Sequence, residues 1–152
     1  MGALRGGPAI VRPGATNFWF GFYSDNRRPL GLGVNGFGYV EDETDGSSFS
    51  VGPSIRMRPS SRVELSLGPR MSWNTSAWQY VTRTDADAGA HYVFARLEQR
   101  TASLTTRLSY AFTPALSLQL YAQPFVAAGD YEGFMEVADP RADGFDARFR
   151  RY

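Results

Sequence analysis

Between Arg62 and Asn74 the chain alternates without a break. Val63, Leu65, Leu67, Pro69, Met71 and Trp73 fall on one side, and Glu64, Ser66, Gly68, Arg70, Ser72 and Asn74 on the other. A period of two over this length predicts a strand with one apolar and one polar face. The pattern recurs along most of the chain. Thr16–Asp25 sets Phe18, Phe20 and Phe22 against Trp19, Gly21 and Tyr23. Leu30–Asp42 sets Leu30, Leu32, Val34 and Val40 against Asn35, Phe37, Tyr39 and Glu41, with Gly36 and Gly38 on the apolar side. Phe49–Arg58 carries Phe49, Val51, Pro53, Ile55 and Met57 on its apolar side. The Arg62 strand is expected to run on through Tyr80 before the Thr84–Ala90 gap. His91–Phe112 has a regular lower half (Leu104, Leu108, Tyr110, Phe112). In its upper half Arg96, Glu98 and Arg100 share the register of Tyr92 and Phe94. Leu116–Gly129 presents Leu116, Leu118, Leu120 and Val126. Beyond Asp130 the alternation decays, which predicts a loop with a short helical turn at Phe134–Ala138 and then the start of another strand.

The connections add an asymmetry. NRRP, RPSS and TPA are tight and contain Pro; ETDGSS, the Thr84–Ala90 gap and the tail after Gly129 are longer and acidic. In consecutive antiparallel strands, alternate connections lie at the same end. One rim therefore carries short turns and the other long polar loops, as in outer-membrane barrels. The expected fold is all-β: an antiparallel up-and-down meander of about six or seven long strands, part of a transmembrane β-barrel. Residues 1–15 form a flexible lead, 16–130 the barrel segment, and 131–152 an external loop with a possible further strand. A spanning strand needs only about 9–11 residues, and the alternating face replaces the long apolar run of a spanning helix. Six strands are too few, because single-chain spanning barrels start at about 8.

On this reading the lipid-facing residues are Phe49, Val51, Ile55, Met57, Val63, Leu65, Leu67, Met71, Leu104, Leu108, Leu116, Leu118 and Leu120. Arg56, Glu64, Arg70, Arg107, Gln119 and Gln123 face a lumen. Trp19, Trp73, Tyr110 and Phe112 are candidates for interfacial girdles. The rival reading is a soluble barrel or sandwich that turns the same apolar face inward around an apolar ligand. Pro53, Pro69 and Pro124 are awkward for either, since each removes a ladder hydrogen bond.

Composition narrows the chemistry. A formal charge of +1 offers no basic footprint for nucleic acid. All 16 basic residues are Arg, as codon bias in a GC-rich genome would produce. Without Cys there is neither a disulfide framework nor a thiol site. The start, MGALRGGPAIVRPG, has no apolar run of signal-peptide length. His91 follows Asp85 by six residues and Asp87 by four, and a His near carboxylates can act as a general base. A hydrolase at the rim is the weakest functional alternative, against a solvated loop histidine. Glu64 with Arg56, Arg70 and Arg107 suggests ion pairs across strands or a selectivity element for an anionic solute. The acidic stretches DADAG and DPRAD lack calcium-loop spacing, and GLGVNG sits within a strand, so no metal, phosphate loop or cofactor is expected. Trp78, Tyr80, Tyr131 and Phe134 could stack on a sugar or pack within loops.

Gln79–Arg83 (QYVTR), Tyr92–Leu108 (YVFARLEQRTASLTTRL) and Phe112–Ala142 (FTPALSLQLYAQPFVAAGDYEGFMEVADPRA) carry specific wording. Over roughly Asn17–Phe149 the chain resembles a bacterial family of unknown function. Members of that family have a C-terminal outer-membrane barrel and an N-terminal module similar to family 9 carbohydrate-binding modules. The resemblance implies residence in the bacterial outer membrane and contact with the lipid bilayer. It also implies strands from the rest of a longer gene product, of which this chain is a C-terminal piece, and an oligosaccharide partner held by the upstream module. It implies no catalysis in this segment: a role in anchoring or solute passage for a carbohydrate-related envelope protein.

Overall fold

The computed structural model describes residues 9–25, 27–86 and 89–152. Residues 1–8 of the expected lead, and Asp87 of the expected His91 cluster, lie outside them. The fold is all-β. One antiparallel up-and-down sheet contains β1 (Ala15–Tyr23), β2 (Leu30–Glu41), β3 (Ser47–Ser60), β4 (Val63–Ala86), β5 (Gly89–Thr113), β6 (Leu116–Ala122), β7 (Phe125–Val137) and β8 (Phe149–Arg151). Among the described residues a single short helix, α1 (Phe145–Arg148), precedes β8. The sheet is open: among the described residues β1 pairs with β2 alone and β8 with β7 alone.

β6 and β7 are one strand broken by a proline. Thr106 lies opposite Ala122 and Ser103 opposite Phe125, so the register against β5 is unchanged across the break. Pro124 accepts a bond from the Leu104 amide at 3.0 Å but has no N–H to return. Pro53 and Pro69 have the same effect on the β3–β4 ladder. Pairing of β3 with β4 holds at Val51–Met71 and resumes at Ile55–Leu67 in the same register. The Arg58 amide donates to Pro29 at 2.7 Å, and the Ala111 amide donates to Arg62 at 2.8 Å. Because backbone groups alternate in direction along a strand, these bonds leave Pro53 and Pro69 pointing at each other. Each occupies a ladder position whose donor it lacks. The three strand prolines are thus accommodated without a shift of register, at the cost of a local gap.

The register assembles the apolar positions into six cross-strand rows, one through each of Val63, Leu65, Leu67, Pro69, Met71 and Trp73 of β4. The row of Leu65 contains Leu30, Met57, Leu108 and Leu120; the row of Met71 contains Phe20, Gly36, Val51, Ala102 and Val126. Gly36 and Gly38 sit directly under Phe20 and Phe18 of β1, where a Cβ would collide with ring carbons. These glycines make room for cross-strand aromatic rings.

Three boundaries differ from the sequence expectation. The strand expected to end near Gly129 continues to Val137. Gly133, at φ +60°, forms a bulge there that shifts the pairing with β5. The bulge displaces the alternation by one residue, so the helical turn expected at Phe134–Ala138 is a strand, and the helix lies at 145–148. The gap expected around Thr84–Ala90 is mostly strand, since β4 reaches Ala86 and β5 begins opposite it at Gly89. Asp85 lies at the exposed tip of β4.

The buried core is small and lies at one end. Phe94, Met135 and Phe149 form it, with Ile10, Trp78, Tyr80, Tyr92, Val137 and Phe145 packed around them. Phe94 stands edge-on to Phe149 at 5.4 Å and to Tyr80 at 5.7 Å. Covering this end are the described part of the lead, with Ile10 on the core and the Val11 amide donating to Pro140 at 3.2 Å, and the segment 138–151. Arg148 contributes too: it is buried and bonds the Ala142 carbonyl at 2.8 Å and Glu43 at 3.2 Å.

Candidate functional site

The two faces of the sheet below this capped end provide the candidate surfaces. On the apolar face none of the expected lipid-facing side chains is buried. Leu104, Leu118 and Leu120 are 39%, 47% and 48% exposed in the middle of their strands. The face ends upward in an aromatic row: Phe18 stacks on Phe49 at 6.3 Å and Phe49 on Trp73 at 6.0 Å. Arg100 lies beside Trp73 on that row, and the row above is polar and acidic, with Ser47, Thr75, Glu98 and Asp130. At the lower end Tyr110 meets Phe112 edge-on at 4.4 Å. Trp19 does not join the upper aromatic row; it pairs with Phe37 on the opposite face and is highly exposed.

Arg56, Glu64, Arg70, Arg107, Gln119 and Gln123 all share the polar face, but not as one cluster. Glu64 pairs with Arg58, directly across β3, at 2.8 Å, and lies in the Ser109–Gln119 row near the short-turn end. Sequence reasoning placed Glu64 with the other arginines because alternation reports the face and not the height. Arg70 lies further up. It reaches over Gly52 to donate to Asn35 Oδ1 at 2.6 Å and Ser50 Oγ at 3.3 Å. A Cβ at Gly52 would lie 3.2 Å from the Arg70 guanidinium, so the glycine makes that path possible. Arg107 rests over the Tyr121 ring at 5.3 Å, and the Tyr121 hydroxyl donates to Gln123 at 2.6 Å. Arg56, Arg70 and Arg107 line a recess of about 500 Å³ with Tyr23, Asn35, Ser54, Ser66 and Thr105. Among the described residues no carboxylate lines it.

His91 is not partnered by the expected aspartates. Asp85 binds Arg83 instead, at 3.1 and 2.7 Å, and its hydrogen bond and charge push the Arg83 guanidinium above its ordinary value. His91 Nδ1 lies 2.9 Å from Glu136 Oε2. The Glu136 side chain, 7% exposed, also accepts from Tyr152 Oη at 3.0 Å and pairs with Arg150. Glu136 therefore ties the histidine to the terminal strand. Sequence reasoning missed it because the two residues are 45 apart and meet only through the β5–β7 register. Trp78 and Tyr80 are packed on Phe94 rather than offered to a ligand. Tyr131 and Phe134 remain exposed. Among the described residues no group of three or more His, Cys, Asp or Glu side chains could hold a metal ion.

A family model described as a domain of unknown function (DUF5916) matches residues 4–145. No curated protein matches the chain, and no solved structure does.

Proposed function

The chain belongs to the DUF5916 family, and we propose that it forms part of an outer-membrane β-barrel, serving anchoring or solute passage and carrying no catalysis of its own. The observation that carries this reading is the bare apolar face. From Val63 to Trp73 at about 3.4 Å per residue is roughly 34 Å along the strand. Tilted by the ~40° of spanning barrels, that band stands about 26 Å high, close to the ~25 Å apolar band of such barrels. Among the described residues neither a second sheet nor a long helix covers it, although a water-soluble protein rarely leaves so large a contiguous apolar patch exposed. The aromatic row at its top and the Tyr110–Phe112 pair at its foot suit the two interfaces.

The polar face then lines the lumen, and the unpaired edges of β1 and β8 receive the remaining strands from the rest of the gene product. An upstream module similar to family 9 carbohydrate-binding modules, which the sequence resemblance supports, would bring oligosaccharide to the cell surface. The test is refolding into lipid vesicles. The protein is expected to float with the vesicles and to migrate on gels in a heat-modifiable form. A well-folded monomer that stays in the aqueous fraction without detergent would refute the reading and favour a soluble ligand-binding barrel.

A further inference from the structure

We propose that the recess on the polar face binds a small oxyanionic solute, held by Arg70 on one side and by Arg56 and Arg107 on the other. This rests on the reading of that face as a lumen. The register fixes the layout. Arg56, Ser66 and Arg107 share one cross-strand row. Four residues further along β4, Arg70 stands level with Ser103 and Asn35. The row between is built from small residues, Gly33, Ser54, Gly68 and Thr105, so a trough about 13 Å long, at ~3.3 Å per residue, separates the two arginine positions. The gap in the ladder at Pro53 and Pro69 lies on the floor of this trough.

The charge balance points to an anion. Among the described residues the lining holds three guanidinium groups and no carboxylate. Arg70 is held by neutral acceptors, Asn35 and Ser50, and Arg107 by a ring face, so these contacts orient the cations without neutralising them. Guanidinium forks match carboxylate and phosphate oxygens in a bidentate manner. The hydroxyls of Ser54, Ser66 and Thr105 and the Tyr23 ring suit a hydroxylated body attached to that oxyanion, and the volume is that of a small-molecule site.

The experiment is equilibrium dialysis of the full chain, refolded in detergent, against galacturonate, inorganic phosphate and galactose, with heat-modifiability measured on the same sample. Galacturonate is expected to bind and galactose not, with affinity falling as salt rises. Binding of phosphate as well would show that the oxyanion suffices. Arg107→Gln and Arg70→Gln are each expected to weaken binding about tenfold, while Arg83→Gln at the far strand tip leaves it unchanged. Arg107 is exposed, so its variant tests the site even if Arg70→Gln fails to fold. Binding of neither anion above galactose, or unaltered binding by both variants, overturns the site. If the sample is heat-modifiable but binds nothing, the site alone fails. If it binds but is not heat-modifiable, the lumen reading fails and the site stands.

Discussion

The same two strands, β4 and β5, build two regions that differ in what their apolar face meets. Above the polar row of Thr75, Glu98 and Asp130, Phe94 is fully buried beneath the chain's own lead, helix and terminal strand. Below that row, Leu65, Leu67, Leu104 and Leu108 continue the same face, and none of them is buried by the described residues. Alternation is common to both regions. The difference is that the capped end supplies its own second layer, with Arg148 and Glu136 tying it down, whereas no described residue lies over the lower band. A two-period pattern identifies a face; it does not identify the solvent that face is built for.

The largest effects are expected where that contrast is sharpest. Phe94→Ala removes the centre of the cap and should cost about 3–5 kcal/mol. The loss would appear as faster amide exchange in β8 and in the upper parts of β4, β5 and β7, with the lower band keeping its protection. If exchange rises uniformly, the two regions are one cooperative unit. Leu104→Arg, near mid-height of the bare face, should cost about 2–4 kcal/mol in phospholipid vesicles. A cost within about 0.5 kcal/mol, the usual size of a surface substitution, would mean that this face meets water.

Smaller effects test the ties at the edges. Glu136→Leu deprives His91, Arg150 and Tyr152 of their shared acceptor. It should destabilise the cap by about 1–3 kcal/mol and expose the 145–152 segment to proteolysis while lipid insertion is unchanged. Pro69→Ala restores one donor opposite Pro53. A hydrogen bond worth about 1 kcal/mol is offset by about 0.4–1 kcal/mol of regained chain entropy in the unfolded state. Net stability should barely move, and the readout is instead a newly protected amide at position 69; an unprotected one would mean that the ladder does not close there.

Much of the fold was legible because the longer strands, β2 to β5, repeat a face over about ten residues. β2 and the lower halves of β4 and β5 appear where the alternation places them. The end of β7 was not legible: one residue, Gly133, inserts a bulge, and beyond it the residues pack under a cap whose own members, Phe145 and Phe149, come from the tail. The polar face was legible as a face, with all six expected residues on it. Their grouping was not, because Glu64 and Arg70 differ in height and choose different partners, Arg58 in one case and Asn35 with Ser50 in the other. Likewise the partner of His91 could be known only once the register between β5 and β7 was known.

The proline row has a mechanical consequence. Pro53, Pro69 and Pro124 lie at one height on three strands, and each removes a backbone donor at that height. A sheet resists flexing through its ladder bonds, so a line short of them acts as a crease. On the proposed barrel reading, curvature taken up on joining further strands would concentrate there and give the wall a waist at the level of the arginine trough.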